Sequence, residues 1–548
     1  MGEAILDRSS LLAEHFTELQ RFLPGLLADF LHGKRWFGGK ARRIKNVSIE
    51  DIVPVEERTW AAVVVFARVE YETGPHEIYA VPLSAPHRGT DGSQEFAREF
   101  GDGEMSVQLP LTDALQDPSV LRGFYDAIER KSVYRGVRGE IRAHQTKSFG
   151  DISLPYGDAS KPRVITGEQS NSSSIFGDRA ILKIFRRVQE GVNPELEVGR
   201  FLTEETSFRQ VPPLGGWLEY KTSAGTFMTL GVLQGFVPNQ GYAWERTLQS
   251  QSLFWSEAPK SFAQISASRN LTKGPNLHNE EVPPVGYELC GAYLDSMGLL
   301  GLRTAELHMA LASNKSNPSF APEPYTETFQ RQLQDSLSTN AADTFRLLRS
   351  QLSNLHNDSR EIARMVLGQE EEIMALIRAS PSGEPSGLRI RIHGDYHLGQ
   401  VLCAANDFVI IDFEGEPGRP ISDRIVKRSA LQDVAGMLRS FYYAAFAPLL
   451  APVRGIEAPL GDARQLSKLA GHWYRWVSSR FLRAYFESAA SADFLPKDLN
   501  EIAELLRLHL MAKALFELSY ELNNRPGWAR IPLGGILNLL ECPNALRP

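Results

Sequence analysis

Residues 391–416, RIHGDYHLGQVLCAANDFVIIDFEGE, gather side chains that could do chemistry. Asp395 stands five residues before Gln400, and Asp412 follows further on. Apolar runs at 401–404 and 408–411 flank a polar turn, Ala405-Asn406-Asp407, the pattern of a β-hairpin. Folding that hairpin carries Asp395, at its entrance, and Asp412, at its exit, toward Gln400. Two carboxylates and an amide are hard oxygen donors. They suit Mg²⁺, which keeps several waters and needs only one or two protein carboxylates beside substrate phosphates. An aspartate five residues before an amide can accept a hydroxyl proton while the later aspartate holds the metal, the division of labour of phosphoryl transfer. A plain hairpin with a surface aspartate at each end is the ordinary alternative for either residue alone, but the whole string is much harder to reach by chance.

The rest of the chain sets bounds on this reading. A length of 548 residues predicts two to four domains. Hydrophobic content of 43% with 23% charged residues is that of a globular protein. A net charge of −7 argues against a nucleic-acid or anionic-membrane surface. The first residues, MGEAILDRSS, lack the basic and apolar regions of a signal peptide. The apolar run at 440–453 is short for a membrane span and holds two prolines. Cys290, Cys403 and Cys542 show neither metal-ligand spacing nor a disulfide framework. These features predict a cytoplasmic protein in a reducing compartment.

The elements that must position the hairpin can be read in order. Residues 1–155 predict a cap domain. A helix over 11–31 is followed by the break RWFGGKAR at 35–42, then strands at 45–55, 60–71 and 76–82 form an antiparallel sheet. Trp36 reads as a core or interface aromatic. Lys34, Arg35 and Lys40 read as solvated cations, with phosphate or sugar contact the less common alternative. A linker at 158–162 leads to residues 156–236, a β-rich lobe with a strand at 163–166. There the small-residue loop GEQSNSSS at 167–174, with Ser172 and Ser173, could offer backbone N–H groups to phosphate. Lys183 lies inside the apolar strand AILKIF, where burial is costly without an anion. An outward-facing strand lysine is the alternative. Asn193 and Pro194 open a helix as cap and first residue. Its Glu197, or else Glu195, is expected to pair with Lys183. A strand at 226–232 and a connector at 233–238 come next, where backbone near Gln234 and Phe236 could face a nucleotide base.

Residues 237–548 predict a mainly helical lobe containing the hairpin. Residues 249–284 read as a long surface insertion or mobile loop, residues 287–312 as one helix and 329–378 as more helices. His308 reads as a satisfied structural histidine. Glu414 and Glu416 alternate with Asp412 and could share its face. Asp433, near the start of a helix over 429–445, is expected to anchor the catalytic loop through backbone N–H groups. The segment FELSYELNNRPGW at 516–528 mixes aromatic rings with polar groups, as carbohydrate sites do and as wet-rimmed helical cores also do.

Taken together, HGDYHLGQVL, IIDFEGEP, SALQDVAGMLRS, RWFGGKAR and YELNNRPGW resemble the bacterial maltokinases over nearly the full chain. The resemblance implies an α+β, two-lobed, protein-kinase-like (aminoglycoside-phosphotransferase-like) fold preceded by the cap. It implies phosphorylation of maltose by ATP with Mg²⁺, giving maltose 1-phosphate for α-glucan synthesis from trehalose-derived maltose. Carried over by motif, Asp395 is the base, Gln400 and Asp412 the metal ligands and Lys183 the phosphate-binding lysine. His393, Glu414, Arg419, Tyr520 and Glu521 are the expected sugar contacts. Some relatives are fused to trehalose synthase, so association with that enzyme is an expected partnership. Two other readings compete: a related kinase acting on an aminoglycoside, choline or similar metabolite, and a non-catalytic scaffold. The scaffold reading predicts loss of the lysine, base or metal acid, and all three are present.

Overall fold

The computed structural model describes residues 16–57, 60–84, 99–100, 107–108, 112–155, 161–165, 171–268, 281–379, 386–416, 418–450 and 461–540. The chain forms two compact units. One comprises Met1–Glu205, Pro212–Pro238 and Gly418–Asp423; the other comprises Thr206–Val211, Asn239–Pro417 and Arg424–Pro548.

The first unit opens with helix α1 (Phe16–Gly33). Strands β1 (Ile44–Glu57), β2 (Trp60–Tyr71) and β3 (Glu77–Ser84) come after it, then the short β4 (Thr112–Asp113). Leu23, Leu27, Phe30 and Leu31 of α1 recur at helical spacing and are buried with Val47, Ile52, Val63, Val65, Tyr79 and Val81 of the sheet. Alternate residues, among them Val53, Val55, Val64 and Phe66, point to the other face and join a second core. That core also includes Val120, Leu121, Phe124 and Ile128 of α2 (Pro118–Arg130). The helix and three strands of the cap accordingly follow the sequence pattern.

The second sheet of this unit is antiparallel and seven-stranded. Its strands are β5 (Val133–Arg135), β6 (Gly139–Gln145), β7 (Arg163–Ile165), β8 (Asn171–Phe176), β9 (Ala180–Phe185), β11 (Leu214–Thr222) and β12 (Phe227–Gly235), in the order β5-β6-β11-β12-β9-β8-β7. It therefore recruits two strands that precede the linker read at 158–162. Asp51, in a bulge of β1 and 1% exposed, accepts hydrogen bonds from the N–H groups of Val137 and Arg138 and from the Tyr220 hydroxyl. These bonds tie β1 to the turn after β5 and to β11.

The chain passes from one sheet to the other at Arg186. Strand β9 ends at Phe185, and β10 (Arg187–Val188) pairs with β3 of the cap sheet. Arg186 is wholly buried. Its Nη2 donates to both carboxylate oxygens of Asp113, at 2.9 and 2.8 Å, its Nε donates to Ser172 Oγ at 2.8 Å, and the guanidinium lies 4.6 Å from the Trp36 ring. Trp36 is buried in the cap core, in keeping with the core or interface aromatic the sequence suggests. Lys34 lies over the Phe30 ring at 4.2 Å. Helix α3 (Pro194–Glu205) starts as expected: the Asn193 side chain accepts from the Glu195 N–H at 2.9 Å, with Pro194 first in the helix.

The second unit is mainly helical. Its principal helices are α4 (Ala243–Glu257), α5 (Pro284–Cys290), α6 (Ala292–Leu311), α7 (Glu327–Gln351), α8 (Asn357–Gly368) and α9 (Glu370–Arg378). After the hairpin β13 (Val401–Ala404) and β14 (Asp407–Ile410) come α10 (Leu431–Phe446), α11 (Ala463–Ser488), α12 (Leu499–Asn524) and α13 (Arg530–Leu540). Two expectations need correction. Residues 249–257 are not loop but the end of α4, which buries Phe254 and Trp255; its polar residues concealed an amphipathic helix, and 269–280 lie outside the described residues. The helix read over 287–312 is interrupted at Gly291, whose φ of +54° favours glycine. Among the described residues no helix is long and apolar enough to cross a membrane. Cys290 and Cys403 are buried free thiols, and Cys542 lies outside the described residues.

Candidate active site

The hairpin forms where the sequence placed it, one residue tighter. Val401 pairs with Ile410 and Ala404 with Asp407, leaving Ala405 and Asn406 as the turn, Ala405 at φ +51°. Asp407 is therefore not a free turn acid. It receives both arms of the Arg303 guanidinium, at 2.8 and 2.7 Å, which clamps the hairpin to α6. The Ile411 N–H continues the pairing to the Gln400 carbonyl at 3.0 Å.

At the hairpin base Gln400 and Asp412 meet: Gln400 Nε2 donates to Asp412 Oδ2 at 2.8 Å. Asp412 adopts φ +66°, a left-handed conformation uncommon for a non-glycine residue and often found at functional sites. Among the described residues no three His, Cys, Asp or Glu groups come together as a metal cage. One carboxylate with an adjoining amide fits the hard-oxygen, few-ligand pattern of a substrate-bound Mg²⁺.

Asp395 sits on a loop fixed from beneath by Asp433, as the sequence reading expects. One Asp433 oxygen accepts the His393 N–H at 2.7 Å and the other the Gly394 N–H at 3.0 Å. His308 Nε2 lies 3.2 Å from the first oxygen, and His308 Nδ1 is 2.9 Å from the Tyr485 hydroxyl, so His308 is the satisfied structural histidine expected. Burial pushes the Asp433 carboxyl up, but the His308 hydrogen bond and charge, His393 and the Gly394 N–H together hold it below the ordinary carboxylate range. Gly394 adopts φ +86°. A Cβ on Gly436 of α10 would lie 2.6 Å from the Tyr396 carbonyl, so only glycine lets the loop approach that closely. Tyr396 is secured by its hydroxyl, 2.9 Å from Thr304 of α6.

His393, expected to touch substrate, is committed inside instead. It is 1% exposed. Its Nε2 faces the Ile411 carbonyl at 2.9 Å and its Nδ1 accepts the Asp395 N–H at 3.3 Å. It therefore links the two aspartate-bearing segments as a positioning residue.

The group that sequence reading missed is Lys513, on α12. Its ammonium donates to Asp395 Oδ1 at 3.1 Å. Burial pulls Lys513 down, yet Asp395, Glu517 and Glu416 outweigh that and hold it above the ordinary lysine range. His397 Nε2 is 3.9 Å from Asp395 Oδ2, and His397 Nδ1 accepts the Gly399 N–H, which leaves the proton on the nitrogen facing Asp395. Burial is the main cause that lowers His397 below the ordinary imidazole range. Further along α12, Glu517 takes two bonds from Arg439, at 2.9 and 2.6 Å. Glu521, 1% exposed, is held by Arg525 at 2.7 Å and the Tyr443 hydroxyl at 3.1 Å. Glu521 is thus an internal partner, whereas Tyr520 is 47% exposed. Glu414 offers its carbonyl to Arg424 at 2.9 Å, and Arg419 is half-buried in the first unit.

In the first unit Lys183 is 9% exposed and pairs across the sheet with Ser173 and Val232. The alternation of strands puts Gln234 on the same face. Gln234 Nε2 donates to Glu195 at 2.8 Å; Glu195 is buried and Glu197 half-buried. Three expectations change here. Ser172 and Ser173 belong to strand β8 rather than a loop, Ser172 bonded to Arg186 and Ser173 buried; residues 167–170 lie outside the described residues. Gln234 is still in a strand, its side chain engaged. The Phe236 N–H donates to the Arg179 carbonyl at 2.8 Å and so cannot also serve a base.

Comparison with known proteins bears on the cap and on the fold. Residues 30–117 match the maltokinase N-terminal cap domain family. A glucosamine kinase of Mycolicibacterium smegmatis is 25% identical over 386 residues, covering 69% of this chain and 79% of the relative. One of Streptacidiphilus jiangxiensis is 23% identical over 383 residues, covering 69% and 73%. Among solved structures, a glucosamine kinase in complex with glucosamine, ADP and inorganic phosphate aligns with a TM-score of 0.56 at 18% identity, over 90% of this chain and 94% of that one. A second crystal form aligns at 0.59 and 18%, over 92% and 96%. Residues 30–117 are thus similar to the maltokinase cap, and the chain shares its fold with the solved glucosamine kinases.

Proposed function

We propose that the protein is an ATP-dependent sugar kinase that transfers the γ-phosphoryl group to the anomeric hydroxyl of maltose, giving maltose 1-phosphate. The observation that carries the choice of a neutral acceptor is the Lys513 ammonium beside Asp395, 3.1 Å from Oδ1. An ammonium-bearing acceptor needs an uncompensated carboxylate, and a lysine beside the base repels it. A neutral sugar loses nothing to that lysine and gains a donor. The cap match supports the same choice. The second reading, an amino-sugar kinase, is favoured by the relatives, which are glucosamine kinases.

In this reading Asp395 accepts the proton of the anomeric hydroxyl as its oxygen attacks the γ-phosphorus and ADP departs. Lys513 and the backbone held by Asp433 keep the carboxylate aimed. Lys183 supplies a cation to the nucleotide phosphates, and Asp412 with Gln400 would hold Mg²⁺, whose chemistry is neutralisation of phosphate charge. Such transfers rest on positioning and electrostatics more than on covalent help. The nucleotide assignment is supported by the ADP in the related structure. The test is ADP release from ATP and Mg²⁺ with maltose, in parallel with glucosamine, glucose, trehalose, kanamycin and choline. Turnover confined to maltose is expected. Turnover confined to glucosamine would replace this reading by the second, and none with any acceptor would return the scaffold reading.

A further inference from the structure

Maltose phosphorylation at Asp395 does not use up the face of α12 beyond Lys513. Lys513, Phe516 and Tyr520 recur at spacings of three and four, along one helix face. Phe516 is 38% exposed and Tyr520 47%, and the Lys513 ammonium lies 5.0 Å from the Phe516 ring. From Lys513 to Tyr520 the helix advances about 10 Å. A two-ring sugar with its reacting hydroxyl at Asp395 would already reach Tyr520.

The aromatic run continues past that point. The Arg525 guanidinium lies 5.5 Å from the Tyr520 ring and 4.9 Å from the Trp528 ring, and Trp528 stacks on Tyr443 at 6.5 Å. Pro526 and Gly527, beside Trp528, form one wall of an open cavity of about 500 Å³, and Asn354, His356 and Asn357 stand on the other. That volume falls within the range of small-molecule sites. Arg360 on the same wall commits its Nε and Nη2 donors to the carbonyls of Leu352, Ser353 and Leu355. What remains is a lining of amide, hydroxyl and imidazole groups facing the Pro526 ring, with Trp528 the next residue along the chain after Gly527. Hydroxyl-rich, uncharged ligands with one apolar ring face match such a lining. The end of α12 at Asn524 stands about 16 Å along the axis from Lys513, enough to carry further rings from the acceptor position toward the cavity.

Building on the maltose reading, we propose that the acceptor site extends from Tyr520 past Trp528 into this cavity, so that the protein takes α-glucans longer than maltose by their reducing ends. Maltose fills the part near Asp395; the third and fourth glucose units lie along Trp528 and between Pro526 and His356. The experiment is a chain-length series on the full-length protein: kcat/KM for maltose, maltotriose and maltotetraose, with wild type, Trp528→Ala and His356→Ala. The longer glucans should match or exceed maltose. Because ring stacking is involved, Trp528→Ala should lower maltotetraose about 3- to 10-fold more than maltose. The exposed His356→Ala, which leaves the aromatic packing intact, should change the same ratio in the same direction. Maltose turnover with the longer glucans rejected, or equal effects of both variants on all three sugars, would overturn the extended site while leaving the maltose reading in place. Turnover of glucosamine with no glucan accepted would overturn the reading and the extension together.

Discussion

Replacing Asp433 by asparagine tests whether the catalytic loop is held as described. The carboxylate is 1% exposed and accepts two backbone N–H bonds, at 2.7 and 3.0 Å, with His308 at 3.2 Å. Asparagine keeps the shape but only one acceptor oxygen, so its NH2 group must face one of the same N–H donors. Hydrogen bonds to a charged group contribute about 1.5–3 kcal/mol each. Removing the charge from such a buried set should cost about 3–5 kcal/mol, a large fraction of the roughly 5–15 kcal/mol that holds a domain together. Urea unfolding monitored by the fluorescence of the buried Trp473 and Trp476 should show a midpoint lowered by about 1 M or more. The pH dependence comes from linkage. The folded Asp433 carboxyl is held below its unfolded value near 3.9, so its contribution is fully present above that value and is lost as pH falls through the folded one. The difference between wild type and variant should be constant between about pH 5 and 7 and should shrink below about pH 4. In kinetics kcat should fall about 100-fold, because the loop that aims Asp395 loses its anchor. A midpoint shift below about 0.3 M, or one of the same size at every pH, would refute the anchoring argument.

The same geometry sets other expectations. Asp395→Asn should lower kcat by about 10²–10⁴-fold while ATP binding, read by calorimetry, persists; near-normal turnover would remove Asp395 from the base role. Lys513→Met should raise KM for maltose and shift the ratio of kcat/KM toward glucosamine, since the repelling cation is gone; an unchanged ratio would sink the argument for a neutral acceptor. Arg186→Met leaves Asp113 buried without its partner and should destabilise the protein by about 3–5 kcal/mol, whereas Arg186→Met with Asp113→Leu should recover most of that; equal losses in thermal unfolding would contradict it. Burial pushes His509 down to about 4, so the unfolded chain binds the extra proton first and stability should fall as pH drops from about 6.5 toward 4. His509→Gln should flatten that slope.

The hairpin at Val401–Ile410 was legible in the sequence because everything it needs is local. Apolar runs, a short polar turn and fixed spacing between Asp395, Gln400 and Asp412 survive any packing around them. The cap strands and the capped start of α3 were legible for the same reason, and Asp433 as an anchor accords with its place in the first turn of a helix. What failed also has physical causes. Ser172 and Ser173 read as a loop because small polar residues favour turns, yet the strands beside them and the guanidinium of Arg186 draw them into the sheet. His393 read as a substrate contact because it lies two residues before Asp395, while its ring is used up between Ile411 and Asp395.

By itself, then, the sequence determined the hairpin, its carboxylates and the kind of chemistry proposed for them, since short-range spacing is a property of the chain. Only the tertiary structure decided what surrounds them. Lys513 reaches Asp395 across 118 residues, Arg439 reaches Glu517 across 78, and Arg186 reaches Asp113 across 73. No periodicity marks such pairs. A lysine on a helix reads as solvated until packing turns its face inward and the loss of water makes a carboxylate its required partner.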